Sequence, residues 1–343
     1  MRQRDGRATG ARRASTTTRL SIVTPSSIDT TNRERAPSDG TRLIPIQTPK
    51  GEFRVWTRRI GDNPRIKVLL LHGGPGASDE SFEGCETWFA GAGIEFIYYD
   101  QLGSFRSDQP DDPDLWELSR FVEEVEQVRV ALGLDAANFY LLGHSWGGIL
   151  AIEYALTYGQ HLKALVVSNM MSSCPAYNAY AREVLEPAMD PAALAEIRRL
   201  EAAGEFEDPR YMELLMEQHY VHHVLRMPPD AWPGPVNRTF AHINQSIYVL
   251  MQGPSELGLS GRLVEWDRTA DLGSITAPTL VIGATHDTMD PAYMEMMAGR
   301  FPRGEFLLCP DGSHMAMWDD ERTWFEGLIG FIRRVDARAE RGG

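Results

Sequence analysis

Cysteine is scarce in this chain of 343 residues. The three cysteines, Cys85, Cys174 and Cys309, are widely spaced and odd in number, which argues against a disulfide framework or a cysteine-based metal site. A reducing compartment follows, and we expect a cytoplasmic protein. Apolar runs are too short to span a membrane, and the amino terminus lacks the apolar region of a secretory signal. We therefore expect no association with a membrane.

Positive charge is also in deficit. The 34 Lys and Arg residues face 48 Asp and Glu residues, for a formal net charge of −14, which disfavours nucleic acid and anionic membrane surfaces as partners. The first 40 residues differ, with eight Arg, four acidic residues and no apolar periodicity. We predict that residues 1–40 form a disordered extension. A transit peptide and a misassigned start codon are the alternatives.

Short apolar runs alternate with helical patterns over much of the remaining chain. An early hairpin is predicted around a turn at residues 49–51. Strands alternating with helices imply a mostly parallel sheet with helices on both faces, an α/β fold. The predicted strands cover residues 43–46, 53–56, 67–71, 94–99, 139–142, 165–167, 279–283 and 305–308, and the helices between them include 79–92, 118–132 and 291–300.

The alternation stops between residues 171 and 268, where the pattern is mostly helical. Candidate helices cover residues 191–203, 209–226 and 238–251, and a proline-rich segment interrupts them. We interpret residues 171–268 as a helical cap inserted into a core made of residues 41–170 and 269–343.

A Gly-x-Ser-x-Gly motif lies at residues 143–147, between an apolar run and a helical pattern. This is the strand-turn-helix setting of a nucleophile elbow, in which a tight turn holds a strained serine. Ser145 is therefore our candidate nucleophile, and the N–H of Trp146 would suit a developing oxyanion. A simple glycine-rich turn is the alternative interpretation.

A serine hydroxyl is a poor nucleophile unless a base and an orienting acid accompany it. In hydrolases with this elbow, the acid and then the histidine follow the serine along the chain, each after a strand. Asp287 and His314 follow the last two predicted strands. We therefore predict a catalytic triad of Ser145, Asp287 and His314.

Other residues near these two positions compete for the same roles. Asp290 precedes Pro291 and could instead cap the next helix. The remaining rivals are the acid Asp311 and the imidazole of His286.

The sequence His-Gly-Gly-Pro-Gly at residues 72–76 follows the predicted strand 67–71. Its three glycines would let the backbone approach a ligand closely. We propose the N–H of Gly74 as the second oxyanion donor beside that of Trp146, with a plain strand-to-helix turn as the alternative. A phosphate cradle is disfavoured, since neither a P-loop nor a dinucleotide fingerprint is present, and we expect no cofactor.

Three motifs together resemble the prolyl iminopeptidases. They lie at residues 72–76, 100–107 and 143–148. The likeness runs from about residue 41 to the end and is greatest to the tricorn-interacting aminopeptidase branch and to L-amino-acid amidases. It implies an α/β-hydrolase core with a helical cap. It also implies a serine hydrolase that releases an N-terminal residue, proline or another small or apolar amino acid, from small peptides or amino-acid amides.

The resemblance also assigns a substrate-binding residue. In that branch the glutamate of a Gly-Pro-x-Glu stretch holds the free α-ammonium of the substrate, and that position is Glu256 here. A carboxylate there would select a cationic amine and restrict cleavage to the first residue. A solvated surface charge is the alternative.

Two residues depart from the family pattern. The branch usually carries a second glutamate just after the catalytic aspartate, and Thr288 stands there. Phe105 occupies the second glycine position of the motif at residues 100–107. Both bear on proline preference and peptide length, and neither changes the triad.

Other functions could use the same residues. An esterase or lactonase would share the triad, and a non-catalytic ligand-binding protein would share the fold. An epoxide hydrolase is disfavoured because Ser145 stands where its aspartate nucleophile would be. His219, His222 and His223 share one face of a predicted helix, but no carboxylate motif accompanies them, and we expect no metal site.

Overall fold

The computed structural model of the chain describes residues 40–342. The extension predicted for residues 1–40 lies outside the described residues, except for Gly40. Within them one mixed sheet contains strands β1 (Thr41–Thr48), β2 (Gly51–Ile60), β3 (Lys67–Leu71), β4 (Glu95–Asp100), β5 (Phe139–His144), β6 (Ala164–Ser168), β7 (Thr279–Ala284) and β8 (Gly304–Cys309).

The sheet has the order β1-β2-β4-β3-β5-β6-β7-β8. β1 and β2 form the predicted hairpin, with Thr48 opposite Gly51, and Gly51 takes a positive φ of 119° that suits a tight turn. β2 runs antiparallel to both β1 and β4, and the other five neighbouring pairs run parallel. The prediction of a mostly parallel sheet is confirmed.

Alternate residues of the central strands supply two apolar layers. Leu69, Leu141 and Val167 belong to one buried cluster, while Leu70 and Leu142 belong to another. Because successive side chains of a strand point to opposite faces, a strand buried on both sides must be apolar throughout. This is why the sequence of β3 and β5 contains continuous apolar runs.

Helices cover both faces of the sheet and fill the connection between β6 and β7. They are α1 (Cys85–Ala92), α2 (Leu118–Leu132), α3 (Trp146–Tyr158), α4 (Cys174–Tyr180), α5 (Pro191–Ala203), α6 (Pro209–Leu215), α7 (Gly234–Ala241), α8 (Gln245–Met251), α9 (Pro291–Ala298), α10 (Ala316–Asp319) and α11 (Glu321–Gly342).

Helices α4 to α8 lie between β6 and β7, where the sequence predicts the insertion. α5 matches its prediction because Asp190 caps its first turn and Gly204, with a φ of 70°, ends it. The helix predicted for residues 209–226 is present over residues 209–224, where α6 changes at Met216 into a π-helix, Met216–Val224. The boundaries 171–268 remain a prediction.

Two other predicted helices are interrupted. The stretch 238–251 divides into α7 and α8, because the side chain of Asn244 caps α8 while its N–H donates to the carbonyl of Gly76 at 2.8 Å. The stretch 79–92 begins with a short 3₁₀ turn, Asp79–Phe82, and only then continues as α1. In both places a contact with a distant segment overrides local helix propensity.

Candidate active site

Ser145 lies at the sharp turn between β5 and α3. Its dihedral angles, φ 56° and ψ −126°, fall in a region that side-chain-bearing residues rarely occupy. The turn is compact, because a Cβ atom on Gly143 would overlap the carbonyl oxygen of Gly147 and one on Gly147 would overlap that of Leu71. Glycine is therefore required on both sides, and the turn has the geometry of a nucleophile elbow.

Asp287 and His314 are paired at the carboxyl ends of the neighbouring strands β7 and β8. Oδ1 of Asp287 lies 2.8 Å from Nδ1 of His314, and both residues are buried. Because a carboxylate accepts hydrogen bonds, Nδ1 carries a proton, and Nε2 is the basic nitrogen of the neutral ring. Burial lowers the pKa of His314, but the charge and hydrogen bond of Asp287 leave that pKa above its ordinary value of 6.5.

The imidazole of His314 lies beside the elbow. The ring of His144, the residue before Ser145, is 5.1 Å from the ring of His314, centroid to centroid. Among residues 40–342 the hydroxyl of Ser145 makes no hydrogen bond. Such bonds are often long without substrate and tighten in the complex. The fold thus places the bonded Asp287–His314 pair beside the segment that carries Ser145.

Asn169 is a second partner of Asp287 that the sequence analysis missed. Its Nδ2 donates to Oδ2 of Asp287 at 2.7 Å and to the carbonyl oxygen of Ser313 at 3.2 Å. Its φ of 52° lies in the left-handed region, which asparagine tolerates better than most residues. Asn169 follows β6, the neighbour of β7. Its position at the carboxyl end of β6 could have indicated a site residue in the sequence. An isolated asparagine, however, belongs to no recognisable motif.

The rivals for the acid and base roles lie outside the Asp287–His314 pair. Asp290 caps α9 and accepts from the N–H of Ala292 at 2.9 Å, so its alternative role as a helix cap is confirmed. The backbone N–H of His286 donates to the carbonyl oxygen of Gly312 at 3.0 Å. The side chain of Asp311 is exposed. Of these acids, Asp287 is the one that contacts His314.

The loop after β3 lies against the elbow. A Cβ atom on Gly73 would be 3.2 Å from Cβ of Ser145 and 3.6 Å from its Oγ. Gly74, next along this loop, has a φ of 107°. Trp146 begins α3, so its N–H lacks a carbonyl one turn earlier in the helix. Both predicted oxyanion donors therefore belong to segments adjoining Ser145.

Gln101 connects these two segments. Its Oε1 accepts from the indole N–H of Trp146 at 2.8 Å, and its Nε2 donates to the carbonyl oxygen of His72 at 3.3 Å. The backbone N–H of Gln101 donates to Nε2 of His72 at 3.1 Å. One side chain thus links the residue that opens α3 to the loop that carries Gly74.

Glu256 follows α8 and is surrounded by aromatic side chains. Its backbone carbonyl accepts from the hydroxyl of Tyr177 at 2.6 Å and lies 3.0 Å from Nε2 of His219. Its carboxylate accepts from the hydroxyl of Tyr248 at 2.5 Å, and its N–H donates to that of Tyr220 at 3.3 Å. These contacts fix both the backbone and the side chain of Glu256.

Glu256 is also linked to His314 through the inserted segment. Its carbonyl oxygen lies 3.0 Å from Nε2 of His219, whose ring is 5.3 Å from that of His223, and the carbonyl of His223 accepts from the N–H of His314 at 2.9 Å. Burial lowers the pKa of His314, and Asp287 has the larger of the effects that raise it. The negative charge of Glu256 also raises the pKa of His314. The fold therefore links a substrate-binding candidate, contributed by the inserted segment, to the basic residue of the core.

Comparisons with known proteins identify the family. Residues 68–326 match the Alpha/beta hydrolase family. The chain is 56% identical over 294 residues to a proline iminopeptidase of Flavobacterium johnsoniae, a match covering 86% of this chain and 98% of that protein. It is 54% identical over 299 residues to a proline iminopeptidase of Elizabethkingia meningoseptica, covering 87% and 99%. The chain belongs to the proline iminopeptidase family of α/β-hydrolases.

Solved structures agree with this family assignment. VinJ superposes with a TM-score of 0.80 at 27% identity, over 87% of this chain and 100% of that chain. A proline iminopeptidase of Mycobacterium smegmatis superposes with a TM-score of 0.76 at 28% identity, over 87% and 99%. The expectations of an α/β-hydrolase fold, of the proline iminopeptidase family and of a serine aminopeptidase are confirmed.

Thr288 is one of two residues that depart from the family motifs, and it contacts Asp287 and His314. Its Oγ1 is 3.2 Å from Nδ1 of His314 and donates to Oδ1 of Asp287 at 3.3 Å. It is fully buried. A second carboxylate for a substrate amine is therefore missing here, and the hydroxyl instead supports the acid–base pair.

Phe105, the second departure, connects the core to the inserted segment. Its ring stacks on that of His242 at 3.7 Å between centroids and 12° between planes. The guanidinium of Arg106 lies 4.5 Å from the centre of the Phe105 ring. A bulky residue at this glycine position is thus accommodated by stacking against the connection between α7 and α8.

The histidines of the inserted segment make protein contacts. His219 contacts the carbonyl of Glu256, and Nδ1 of His223 lies 3.1 Å from the carbonyl oxygen of His286. Residues 40–342 hold no group of three or more His, Cys, Asp or Glu side chains suited to a metal ion. None of the helices within this range is long and apolar enough to cross a membrane.

Proposed function

We propose that this protein releases N-terminal proline, or another small apolar residue, from short peptides and amino-acid amides through an acyl-enzyme. One observation carries the proposal: the buried Asp287–His314 pair lies beside the segment of the strained Ser145, and the inserted segment that contacts Glu256 also bonds to the backbone of His314. The activity named for the relatives at 56% and 54% identity supports the same reaction.

Acylation would begin with Ser145. Nε2 of His314 takes the hydroxyl proton while Oγ attacks the carbonyl carbon of the first residue. Asp287 holds the ring in the required tautomer and stabilises the imidazolium. The N–H groups of Gly74 and Trp146 donate to the oxyanion of the tetrahedral intermediate. His314 then returns the proton to the leaving amine as the C–N bond breaks.

Deacylation would repeat these steps with water. His314 removes a proton from water, the hydroxide attacks the acyl-enzyme carbonyl, and Ser145 leaves as a protonated hydroxyl. The free amino acid is released, and the triad returns to its starting state.

Glu256 would select substrates with a free amino terminus. A carboxylate near His314 attracts the ammonium of the first residue and places the first peptide bond at Ser145. A chain without a free amine leaves that carboxylate unpaired in a partly buried site, which opposes binding.

The helices between β6 and β7 would act as a cap. Ser145 is 8% exposed and His314 is 4% exposed, so water reaches the triad poorly. Such enclosure favours small substrates and strengthens the electrostatic interactions within the site. The cysteines Cys85, Cys174 and Cys309 are buried unpaired thiols, which supports the cytoplasm as the compartment.

The test is a panel of prolyl, alanyl and leucyl p-nitroanilides, with the N-acetyl forms as controls. The free prolyl or alanyl substrate should be cleaved and its N-acetyl form should not. Ser145→Ala should lower kcat by at least about 1,000-fold while the circular dichroism spectrum stays native. Unchanged turnover by Ser145→Ala would refute the proposal.

The same panel separates the aminopeptidase from an esterase. If Glu256→Gln leaves prolyl turnover unaltered while simple acyl esters are cleaved efficiently, the amine anchor is wrong and an ester substrate is favoured.

A further inference from the structure

His219 is a fully buried imidazole in the π-helix Met216–Val224. Its ring lies 5.9 Å from that of Tyr220 and 5.3 Å from that of His223, centroid to centroid. A π-helical turn inside a helix is uncommon and often marks a functional position. Here it places His219 in the wall of residues that surrounds Glu256.

The contacts of His219 determine where its proton lies. Nε2 is 3.0 Å from the backbone carbonyl oxygen of Glu256, and a carbonyl can only accept, so Nε2 carries the proton. Burial, assisted by the nearby His223, lowers the pKa of His219 to about 3, so the ring is neutral near pH 7. Nδ1 is then an acceptor with an available lone pair.

Nδ1 of His219 has no hydrogen-bond partner among residues 40–342. A buried acceptor without a donor is uncommon, because desolvation is uncompensated. The other nitrogen of the same ring is held against Glu256, so the ring is fixed in place. This pattern is expected where a donor arrives with a ligand.

The position of His219 identifies that ligand. It contacts the backbone of Glu256, and its ring lies 5.3 Å from that of His223, whose carbonyl accepts from the N–H of His314 at 2.9 Å. A group entering between Glu256 and the triad would be the amino end of the substrate. Protonated proline carries two N–H bonds on one nitrogen, and a single carboxylate oxygen satisfies only one of them.

We propose that His219 is a second anchor for the substrate amine: its neutral Nδ1 accepts one ammonium N–H while Glu256 accepts the other. This inference rests on the proposed function and adds a specificity-determining residue to it. It also explains how Thr288 can stand where the family branch usually carries a second glutamate, because the second acceptor for the substrate amine then comes from the inserted segment.

Two isosteric variants separate the two nitrogens of the ring. The side-chain amide of Gln reaches the position of Nε2, so His219→Gln can keep the bond to the Glu256 carbonyl and lacks the Nδ1 acceptor. The shorter Asn places its amide oxygen near Nδ1, so His219→Asn can keep the acceptor. The exposed His222 on the same helix provides the control His222→Gln.

Two substrates separate recognition of the substrate amine from the chemical step. One is proline p-nitrophenyl ester, and the other is cyclopentanecarboxylic acid p-nitrophenyl ester, which keeps the ring and lacks the nitrogen. We expect His219→Gln to lower kcat/KM for the prolyl ester by about tenfold or more, mainly through KM, and to leave the cyclopentane ester unchanged. His219→Asn should retain more prolyl activity than His219→Gln, and His222→Gln should match wild type.

The outcomes distinguish this inference from the proposed function. If wild type cleaves prolyl substrates and His219→Gln does so with unchanged KM, His219 is not an anchor. An equal loss on both esters would show a structural role and overturn the inference. If wild type cleaves no substrate with a free amine, the proposed function itself fails. Labelling by a fluorophosphonate confirms in each variant that Ser145 and His314 remain assembled.

Discussion

At the level of single residues, the site depends on how Asp287 is held. Its two oxygens are divided between His314 at 2.8 Å and Asn169 at 2.7 Å, and Oδ1 also accepts from the N–H of Met289 at 3.2 Å. A carboxylate fixed on both oxygens cannot rotate away from the imidazole. Asn169 is therefore a positioning residue that acts through Asp287.

Removing Asn169 should slow turnover and leave substrate binding unchanged. Asn169→Gly keeps the left-handed backbone and deletes the amide, so Asp287 loses a charge-assisted hydrogen bond. We expect kcat for a prolyl arylamide to fall about tenfold at similar KM. Steady-state kinetics measures this, and an unchanged kcat would show that the amide does not orient the acid. Asn169→Ser, which can still donate, is the comparison variant.

The pH dependence of the site should report the charge of Glu256. In the proposed mechanism neutral His314 is the base, so the reactivity of Ser145 should rise with pH through the pKa of His314, which lies above 6.5. The anionic carboxylate of Glu256 favours the imidazolium, so Glu256→Gln should move this acidic limb to lower pH.

This shift is best measured with a reagent that has no amine. The rate of Ser145 labelling by a fluorophosphonate, followed from pH 5 to pH 9, avoids titration of the substrate. If the labelling rate of wild type and of Glu256→Gln rises over the same pH range, the charge of Glu256 does not affect the pKa of His314.

Among the structural elements, the end of the π-helix has a direct role at the base. The N–H groups of His314 and Met315 donate to the carbonyls of His223 and Val224, each at 2.9 Å. The side chain of Asp319 joins the same two segments, since it accepts from the N–H of Arg226 at 3.0 Å and from the N–H of Ser313 at 3.0 Å. The inserted segment therefore supports the catalytic loop.

Asp319→Ala should weaken this connection. The loss of several hydrogen bonds to one carboxylate should lower the free energy of unfolding by about 2 kcal/mol and reduce kcat, because the loop of His314 is less firmly held. Urea denaturation and prolyl arylamide kinetics measure the two effects. Asp311→Ala, at an exposed position in the same loop, should change neither. Equal behaviour of the two variants would contradict the role given to Asp319.

The sequence predicts the core elements and the triad better than the inserted segment. Continuous apolar runs and the Gly-x-Ser-x-Gly motif have few alternative explanations, so β3, β5, β7 and Ser145 follow from local pattern. The π-helix does not, because a helical sequence pattern does not show where the backbone bonds change to the i→i+5 spacing of a π-helix. Asn169 and His219 become informative only when their partners, distant in sequence, are known.

Across the whole molecule, one buried carboxylate joins the core to the inserted segment. Glu80 is 3% exposed and pairs with Arg238 at 2.7 Å and with His242 at 2.6 Å. Burial raises the pKa of Glu80, but the hydrogen bonds from His242, Arg238 and Ser78 outweigh it and hold that pKa below its ordinary value of 4.5. The charged form is therefore favoured in the folded protein.

The stability that Glu80 contributes should depend on pH. Because its pKa is lower in the folded state, the contribution is present above pH 4.5 and is lost as pH falls through the folded value. Glu80→Gln should lower the free energy of unfolding by about 1–2 kcal/mol at pH 7. The difference from wild type should shrink below pH 4.5.

Urea denaturation at several pH values measures this difference. Glu83→Gln is the matched control, because Glu83 contacts the same Arg238 from a more exposed position. A difference that stays constant with pH would show that the charge of Glu80 is not what joins the two parts.

The packing of Gly147 against the carbonyl of Leu71 bears on how such enzymes diversify. The serine turn is fixed by contacts among core residues, whereas the groups proposed to bind the substrate amine come from the inserted segment. Mutational drift or laboratory evolution can therefore explore positions 219 and 248 for new substrates while the nucleophile keeps its geometry. A chimera that exchanges the insertion between relatives must, however, preserve the backbone at residues 223 and 224. Without those carbonyl groups the loop of His314 would be less firmly held beside Ser145.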